Sequence, residues 1–490
     1  MSRLTITINQ ETQINRTRQT DLEIGLVLES PKGPVLTPTQ ISSESELSLI
    51  FGESSARYPV LSLARSYLKQ YTNIRITRIK YKEASPSVAT INDSESEGLI
   101  KVIGTSYSDY ENGHTLVIAN DDENEGRLKV TITGTDKVVR TNIIDLPKAP
   151  RDFISEFNTK SVNYKMEPIE ENYDSKEIKL EELTFSGGVQ GSTFNAQDVK
   201  DAIQTFASVN IPKLNVILAP GLNTEASIVE LGVEVAKNRG ETMYLADFKE
   251  GIDYDGMLSV AATYPRSDFL AIYYPSVVMI LPVGANSTSR LTVPASAAAL
   301  FPWAKSTETN EWSCPAGYNE DYRLPNTVGT AYDLSSDQAG EMYEATQERP
   351  AVNPIIFDNT IGYLVDGERT TDTNTSLSYP INVSRVIKYV YNMARDESKP
   401  YGYKPNTEFT WSAWKLVISN KLNGVKNSQG IQSYEVKMGL GETMTQEEVN
   451  QGIMRGIIRI QPIFMSEYIN ISIGVTTETL SNTGGDSFGF

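Results

Sequence analysis

From Phe185 to Tyr274 the apolar residues alternate between two spacings, and this rhythm constrains the fold more than any other feature of the chain. After the turn Ser186-Gly187-Gly188, the residues Val199, Ala202, Ile203 and Phe206 recur three and four apart, which is one face of a helix. Residues 214–218 then form a short apolar run closed by Ala219-Pro220-Gly221, the pattern of a buried strand. Ile228, Leu231 and Val235 mark a further helix, and residues 242–246 and 269–274 two further strands. Strands that alternate with helices are joined by right-handed crossovers, so this stretch predicts a mostly parallel sheet.

The same rhythm opens the chain's first core segment, with strands at 24–28 and 74–79, a helix from Ser45 to Phe51 stopped at Gly52, and a helix through Leu61, Ala64, Tyr67 and Leu68. Between these two α/β stretches the character changes. Short β-like runs at 99–103, 115–118, 128–132 and 138–143 are separated by turn residues and acidic loops, the mark of a small inserted β-rich domain. Residues 284–354 are loop-rich with several prolines. The last third holds a strand at 361–365, helices at 383–395 and 409–422, and apolar β runs at 457–462 and 468–475.

At the amino end, residues 4–8 alternate Leu4, Ile6 and Ile8 with threonines, then a polar run reaches Asp21; a strand on a polar tether reads as an arm. At 490 residues the chain is long enough for about three domains at roughly 150 residues each. The layout expected is an arm at 1–22, an α/β core of 23–88 with 183–355, the β-rich insertion at 89–182, a further domain at 356–475 and a polar tail at 476–490. The class is multi-domain α/β and α+β.

A search for chemistry excludes most enzyme classes. The lone histidine, His114, sits in a turn-rich acidic region and reads as a surface residue; without a second histidine, the usual triads and histidine-containing zinc sites are out of reach. Cys314 is the only cysteine, so there is no internal disulfide framework, and it reads as a structural thiol. Ser186-Gly187-Gly188-Val189-Gln190-Gly191 lies between strand and helix, where a phosphate loop would sit. It lacks the following Gly-Lys-Ser/Thr and the dinucleotide glycine spacing, so a junction whose glycines permit positive φ is the better reading. The acidic run from Asp121 to Glu125 lacks the ligand spacing of an EF-hand loop and reads as a solvated turn. No cofactor is expected.

Charge excludes a general nucleic-acid binder. The net charge is −18, with residues 81–185 holding 21 Asp/Glu against 12 Lys/Arg, whereas residues 369–426 hold 9 Lys/Arg against 4 Asp/Glu. No run approaches the roughly 20 apolar residues of a membrane span, and the first residues carry no secretory pattern.

The order of several short motifs resembles one family. Gly362-Tyr363-Leu364-Val365-Asp366-Gly367-Glu368-Arg369-Thr370 is similar to the strand and Gly-x-Arg-Thr motif of contractile tail sheath proteins, found in bacteriophages, pyocins, type VI secretion and other contractile injection systems. Asn382-Val383-Ser384-Arg385 resembles the family's helix-opening motif. Pro405-Asn406 followed by Trp411 and Trp414 resembles its Pro-Asn segment and aromatic helix, and Pro462 with Glu467 its closing strand. Gly33-Pro34, Phe51-Gly52, Phe185-Ser186-Gly187-Gly188 and Pro220-Gly221 agree more loosely. Residues 317–349 depart from the family pattern.

This resemblance implies a structural subunit, not an enzyme, that stacks as hexameric rings in a helix around an inner tube and contracts to drive the tube through a host envelope for genome delivery. The implied partners are other copies of the chain, the tube protein, and baseplate and tail terminator proteins, with neither nucleic acid nor membrane insertion. The implied place is the virion tail, assembled in the bacterial cytoplasm. Strand exchange between subunits falls to Leu4, Ile6 and Ile8 and to Tyr468, Ile469, Ile471 and Ile473. The tube-facing charges fall to Arg385, Lys388, Arg395, Lys415 and Lys421 in the domain 356–475, and the acidic insertion is expected to face outward. A non-contractile virion component, tube or capsid, is the competing structural reading. An enzyme reading would place its site at the strand ends near Pro220-Gly221.

Overall fold

The structure, a computed structural model, describes residues 22–466 apart from Thr72, Asp122 and Ala285. The expected amino-terminal arm with Leu4, Ile6 and Ile8, the closing strand with Tyr468, Ile469, Ile471 and Ile473, and Glu467 lie outside the described residues.

An eight-stranded sheet runs through the core. Its order is Gly362–Val365, Asn353–Asp358, Leu270–Tyr274, Met243–Ala246, Val216–Leu218, Ile24–Leu28, Ile74–Arg78 and Thr39–Ile41. Neighbours among the inner strands pair in parallel, and only the two outermost strands run antiparallel to theirs. The four strands Ile24–Leu28, Val216–Leu218, Met243–Ala246 and Leu270–Tyr274 are buried at every position. A sheet covered on both faces demands apolar residues on both, which is why these strands read as unbroken apolar runs and not as alternation. Leu26 and Leu28 enter one hydrophobic cluster and Val27 the other, one on each face.

The helices begin and end where local chemistry puts them. Ser43 caps Glu44–Phe51 by accepting from the Glu46 amide. The capping box of Asn195 and Asp198 opens Ala196–Gln204. Ala226–Arg239 stops at Gly240, whose φ of +81° needs a residue without Cβ strain, and Lys237 and Arg239 complement its carboxyl end.

The loop-rich stretch 284–354 is more ordered than its sequence implies. Val277–Val283 pairs antiparallel with both Ser287–Val293 and Thr327–Thr330, and Leu300–Thr309 is a helix whose buried Trp303 donates to the Tyr273 hydroxyl at 2.8 Å. Residues 88–184 build two further sheets. One joins Val88–Asn92, Gly98–Gly104 and Tyr164–Pro168; the other joins Glu182–Thr184, Thr115–Asn120, Leu128–Thr133 and Val139–Leu146. The helix Pro150–Lys160 closes their shared cluster through Phe153, Ile154 and Phe157.

One expected boundary moves. The strands Asn353–Asp358 and Gly362–Val365 extend the central sheet, and Ile355 and Val365 lie in its core, so residues 356–365 pack with the α/β core. A separate cluster takes over within the helix Ile381–Ser398. Ile381 still belongs to the central core, but Val386, Val390 and Met393 pack with Trp411, Trp414, Ile418 and Leu422 of the helix Glu408–Asn427. The antiparallel pair Ile431–Lys437 and Ile457–Pro462 completes this part. Among the described residues no helix is long and apolar enough to cross a membrane.

Candidate functional site

An open α/β sheet binds ligands where its strand order reverses, beyond the carboxyl ends of the strands. Here Ile24–Leu28 is that strand, flanked by Ile74–Arg78 and Val216–Leu218. Asp247 follows the carboxyl end of the strand Met243–Ala246, and the chain's own donors occupy it. Oδ1 accepts from the Gly221 amide and from Asn223 Nδ2, each at 3.0 Å, and Oδ2 accepts from the Ser296 hydroxyl at 2.6 Å. Burial pushes the Asp247 carboxyl up, and these hydrogen bonds pull it back down. The Tyr244 hydroxyl donates to Asn223 Oδ1 at 2.7 Å. The hollow beside this network, lined by Glu29, Arg57, Pro220 and Glu250, is about 170 Å³, below the range of about 300–1,000 Å³ typical of ligand pockets. The network fastens the strand ends to the start of the helix Ala295–Ala298.

The other chemically suggestive residues resolve similarly. His114 is not a surface residue: it is 1% exposed, its Nδ1 lies 2.8 Å from the Tyr164 hydroxyl, and burial pushes its pKa down to about 4. It is packed between the two sheets built by residues 88–184, a site that a turn-rich acidic sequence conceals. Gly187 adopts φ +80°, as a junction glycine would. Gly188 has no room for a side chain, since a Cβ there would lie 2.2 Å from the Ser108 carbonyl oxygen, and its amide donates to Asn112 Oδ1 at 2.9 Å. Asp121 accepts from the amides of Glu123 and Asp145, the bonding of a turn. Among the described residues no group of three or more His, Cys, Asp or Glu is placed to hold a metal.

The motif residues of the last third converge instead on one buried polar seam between the α/β core and the helix Ile381–Ser398. Gly367 has no space for a Cβ beside Asn353 Oδ1 and the Tyr343 ring. The Arg369 amide donates to Asn353 Oδ1 at 2.8 Å, while Asn353 Nδ2 donates to the carbonyls of Arg369 at 2.8 Å and Ile272 at 3.0 Å. The Arg369 guanidinium lies 3.9 Å from the centre of the Tyr343 ring and pairs with Glu344 at 3.1 Å. Thr370 donates to the Tyr379 carbonyl at 2.9 Å. Asn382 Nδ2 reaches the Ile463 carbonyl at 2.9 Å, tying the helix start to the residues after the last described strand. Cys314 lies beside the seam, its thiol pushed up by burial and by the nearby Glu368 carboxylate.

A second set of motif residues fixes the aromatic helix. Asn406 accepts from Trp411 Nε1 at 2.7 Å and donates to the carbonyls of Val449 at 3.2 Å and Ile453 at 2.9 Å. Thr410 donates to the Pro405 carbonyl at 2.7 Å, and Trp414 Nε1 donates to the Ser398 hydroxyl at 2.8 Å. Both indoles are buried on one helix face, the reading their spacing supports. Pro462 ends the strand Ile457–Pro462 opposite Ile431.

No family model matches the chain. Over 175 residues, 36% of its length, it is 26% identical to the tail sheath protein of Enterobacteria phage T4. Over 125 residues, 26% of its length, it is 25% identical to the tail sheath protein of Vibrio phage KVP40. The matched stretches span 25% and 18% of those two relatives. Among solved structures, a sheath tail protein from Listeria innocua matches 90% of this chain and 95% of its own, with a TM-score of 0.60 at 12% identity. The contracted helical sheath of the anti-feeding prophage covers 93% of each chain, with a TM-score of 0.54 at 16% identity. Over the matched stretches the chain is similar in sequence to phage tail sheath proteins, and over most of its length it shares the fold of the sheath structures. The structural likeness carries the fold, and the sequence matches carry the kinship.

For a sheath relative, two of the five charges expected to face a tube are misplaced. Arg385 is 6% exposed and Lys388 is 4% exposed, because both point from the helix Ile381–Ser398 into the seam. Arg385 donates to the hydroxyls of Ser306 at 2.9 Å and Thr307 at 2.8 Å and to the Ser313 carbonyl, with its guanidinium 4.6 Å from the centre of the Trp303 ring. Lys388 bonds the Asp268 carbonyl at 2.9 Å and its carboxylate at 3.2 Å. Burial pushes Arg385 down to about 10 and Lys388 down to about 8. Arg395 is exposed and pairs with Glu241 at 3.4 Å, and Lys421 pairs with Glu397 at 2.8 Å. Lys415 is half-buried on the helix Glu408–Asn427, whose outward stripe carries Phe409 at 85% and Leu416 at 62% exposure. Sequence reasoning missed Asn353, Asp268 and Ser384, the acceptors and donors that complete the seam. A polar residue set between Val352 and Pro354 in the apolar run 352–356 was the one signal for Asn353.

Proposed function

We propose that this chain is the subunit of a contractile sheath, polymerising as stacked hexameric rings around an inner tube in a virion tail. Contraction drives the tube through the host envelope for genome delivery. The observation that carries this reading is the two-stranded sheet of Ile431–Lys437 and Ile457–Pro462. One face of this pair packs against the helix Glu408–Asn427, but among the described residues both of its outer edges lack a neighbouring strand. Donated strands from other copies, residues 4–8 and 468–475, would complete it by β-augmentation and knit subunits while their bodies move. A head-to-tail contact of that kind generates an open helix.

The exposed stripe bearing Phe409 and Leu416, flanked on opposite sides by Lys415 and Lys421, is the surface offered to the tube, and baseplate and terminator proteins cap the polymer. The inserted region 89–182 faces outward, and assembly takes place in the bacterial cytoplasm. The energy of contraction comes from repacking interfaces, without a nucleotide. Deleting residues 1–15 is expected to leave folded subunits that form no striated tubes in negative-stain microscopy. Normal tubes from that variant would refute strand exchange. Charge reversal at Lys415 and Lys421 is expected to abolish co-assembly with tube protein, and unchanged co-assembly would refute the tube-facing surface.

A further inference from the structure

A groove of about 880 Å³ opens beside the two-stranded sheet, between the helix Ile381–Ser398 and the segment 438–458. Its floor is apolar, made by Trp414, Met438, Met454 and Ile458. Gly456 keeps that floor low, since a Cβ there would lie 2.4 Å from the Trp414 ring. Two tyrosines stand over it. Tyr391 is exposed, its ring braced on Gly240, where a Cβ would come within 2.5 Å of it. Tyr403 is wholly exposed and held at φ +62°, a conformation that costs a non-glycine residue energy. The charges at the rim are both positive, Arg395 and Lys404. An apolar, tyrosine-walled groove with a cationic rim fits an acidic segment carrying aromatic anchors.

The sequence supplies one such segment. Residues 1–21 contain no Phe, Tyr or Trp. Residues 467–490 carry Glu467, Glu478 and Asp486 with no Lys or Arg, and include Asp486-Ser487-Phe488-Gly489-Phe490. In an extended peptide, residues two apart point to the same side about 7 Å apart, so Phe488 and Phe490 would enter the groove together while Gly489 lets the backbone lie close. We infer that the groove is the receptor for the segment Asp486–Phe490 of this sequence, with Phe488 and Phe490 as anchors and Asp486 against Arg395 or Lys404. This docking does not require strand exchange, because it engages a different surface and can be read in isolated subunits.

The test uses the chain lacking residues 481–490 and a fluorescent peptide of residues 479–490, followed by anisotropy. Saturable micromolar binding is expected, weakened at least tenfold by Tyr403→Ala and by Arg395→Glu in the protein. The peptide with Phe488→Ala and Phe490→Ala should not bind, and the full-length chain should bind the wild-type peptide more weakly because its own tail competes. Tyr403 is exposed, whereas Arg395→Glu gives up the pair with Glu241, so matching circular dichroism and melting curves must first establish that both variants fold. Absence of binding, or binding that the groove variants leave unchanged, overturns the inference. Tube formation by the variant lacking residues 1–15 reports on strand exchange alone and has no bearing on this result.

Discussion

Lys388 gives the sharpest test of the seam. Its ammonium is held among Asp268, Ser384 and the Phe269 ring, 3.7 Å from the ring centre, and burial outweighs Asp268 to bring its pKa down to about 8. The ordinary value of 10.5 applies to the unfolded chain. Between pH 8 and 10.5 the unfolded chain therefore binds more protons than the folded one, and stability rises with pH. The contribution is fully present above the unfolded pKa and is lost as pH falls through the folded one. Two and a half units correspond to about 3 kcal/mol over the whole window, and linkage puts about 2 kcal/mol of it between pH 7 and pH 9.5.

Lys388→Met keeps the stem and removes the titration. Buried tyrosines titrate alike in both proteins and cancel. Urea denaturation of the two chains at pH 7, 8, 9 and 9.5 is expected to show wild-type stability rising relative to the variant by about 2 kcal/mol across the series. A difference that stays flat, or that shrinks with pH, would show that Lys388 keeps an ordinary pKa and is solvated, and the buried placement of this side chain would be wrong.

Other sites yield shorter tests. Because His114 is depressed to about 4, its stabilising neutral form is lost as pH falls from 6.5 through 4; relative to His114→Gln, the wild type is expected to lose roughly 1–2 kcal/mol between pH 7 and pH 5 in denaturant titrations. Asn406→Ala strands the Trp411 indole N–H and two carbonyls, and about 1–3 kcal/mol of stability should go with it, together with a shift in tryptophan emission. Gly188→Ala forces a Cβ into the Ser108 carbonyl and the Ser87 hydroxyl and should destabilise by about 1–3 kcal/mol or more. Gly340→Ala, inside a helix with nothing within 4 Å, is its control and should be neutral or stabilising in the same melting assay.

The sequence made the central sheet legible because both of its faces are covered. Continuous apolar runs such as residues 216–218 and 270–274 leave no solvent-facing alternative, and the glycines and prolines that follow mark their ends. The long helices of the last third were readable for the same reason, their buried stripes being wide. Ile431–Lys437 was not: half exposed, carrying Glu435 and Lys437 among its residues, it offers too little contrast between its faces. The helix Pro150–Lys160 and the elements of 284–354 are short, and their identity comes from what they pack against more than from their own pattern.

Charge proved the least transferable signal, and Arg385 shows why. A count of Lys and Arg over residues 369–426 treats every cation as a surface cation, yet Arg385 and Lys388 lie three apart on the inward stripe of their helix, in step with Ile381 and Ser384. Helical phase placed them inside, and only the acceptors contributed by distant segments (Asp268, Ser306, Thr307 and Ser313) make that placement tolerable. Those acceptors lie 72 to 120 residues away in sequence, so no local window could pair them. The motif residues that resemble the family's are therefore legible as a set, while their role becomes visible only in the fold. They hold the last module against the core through buried, charge-assisted bonds, and breaking one partner of such a bond costs more than a surface ion pair could ever contribute. On the proposed sheath reading, a subunit whose body is locked in this way would take up rearrangement at its periphery, where the open-edged sheet and the groove beside it both lie.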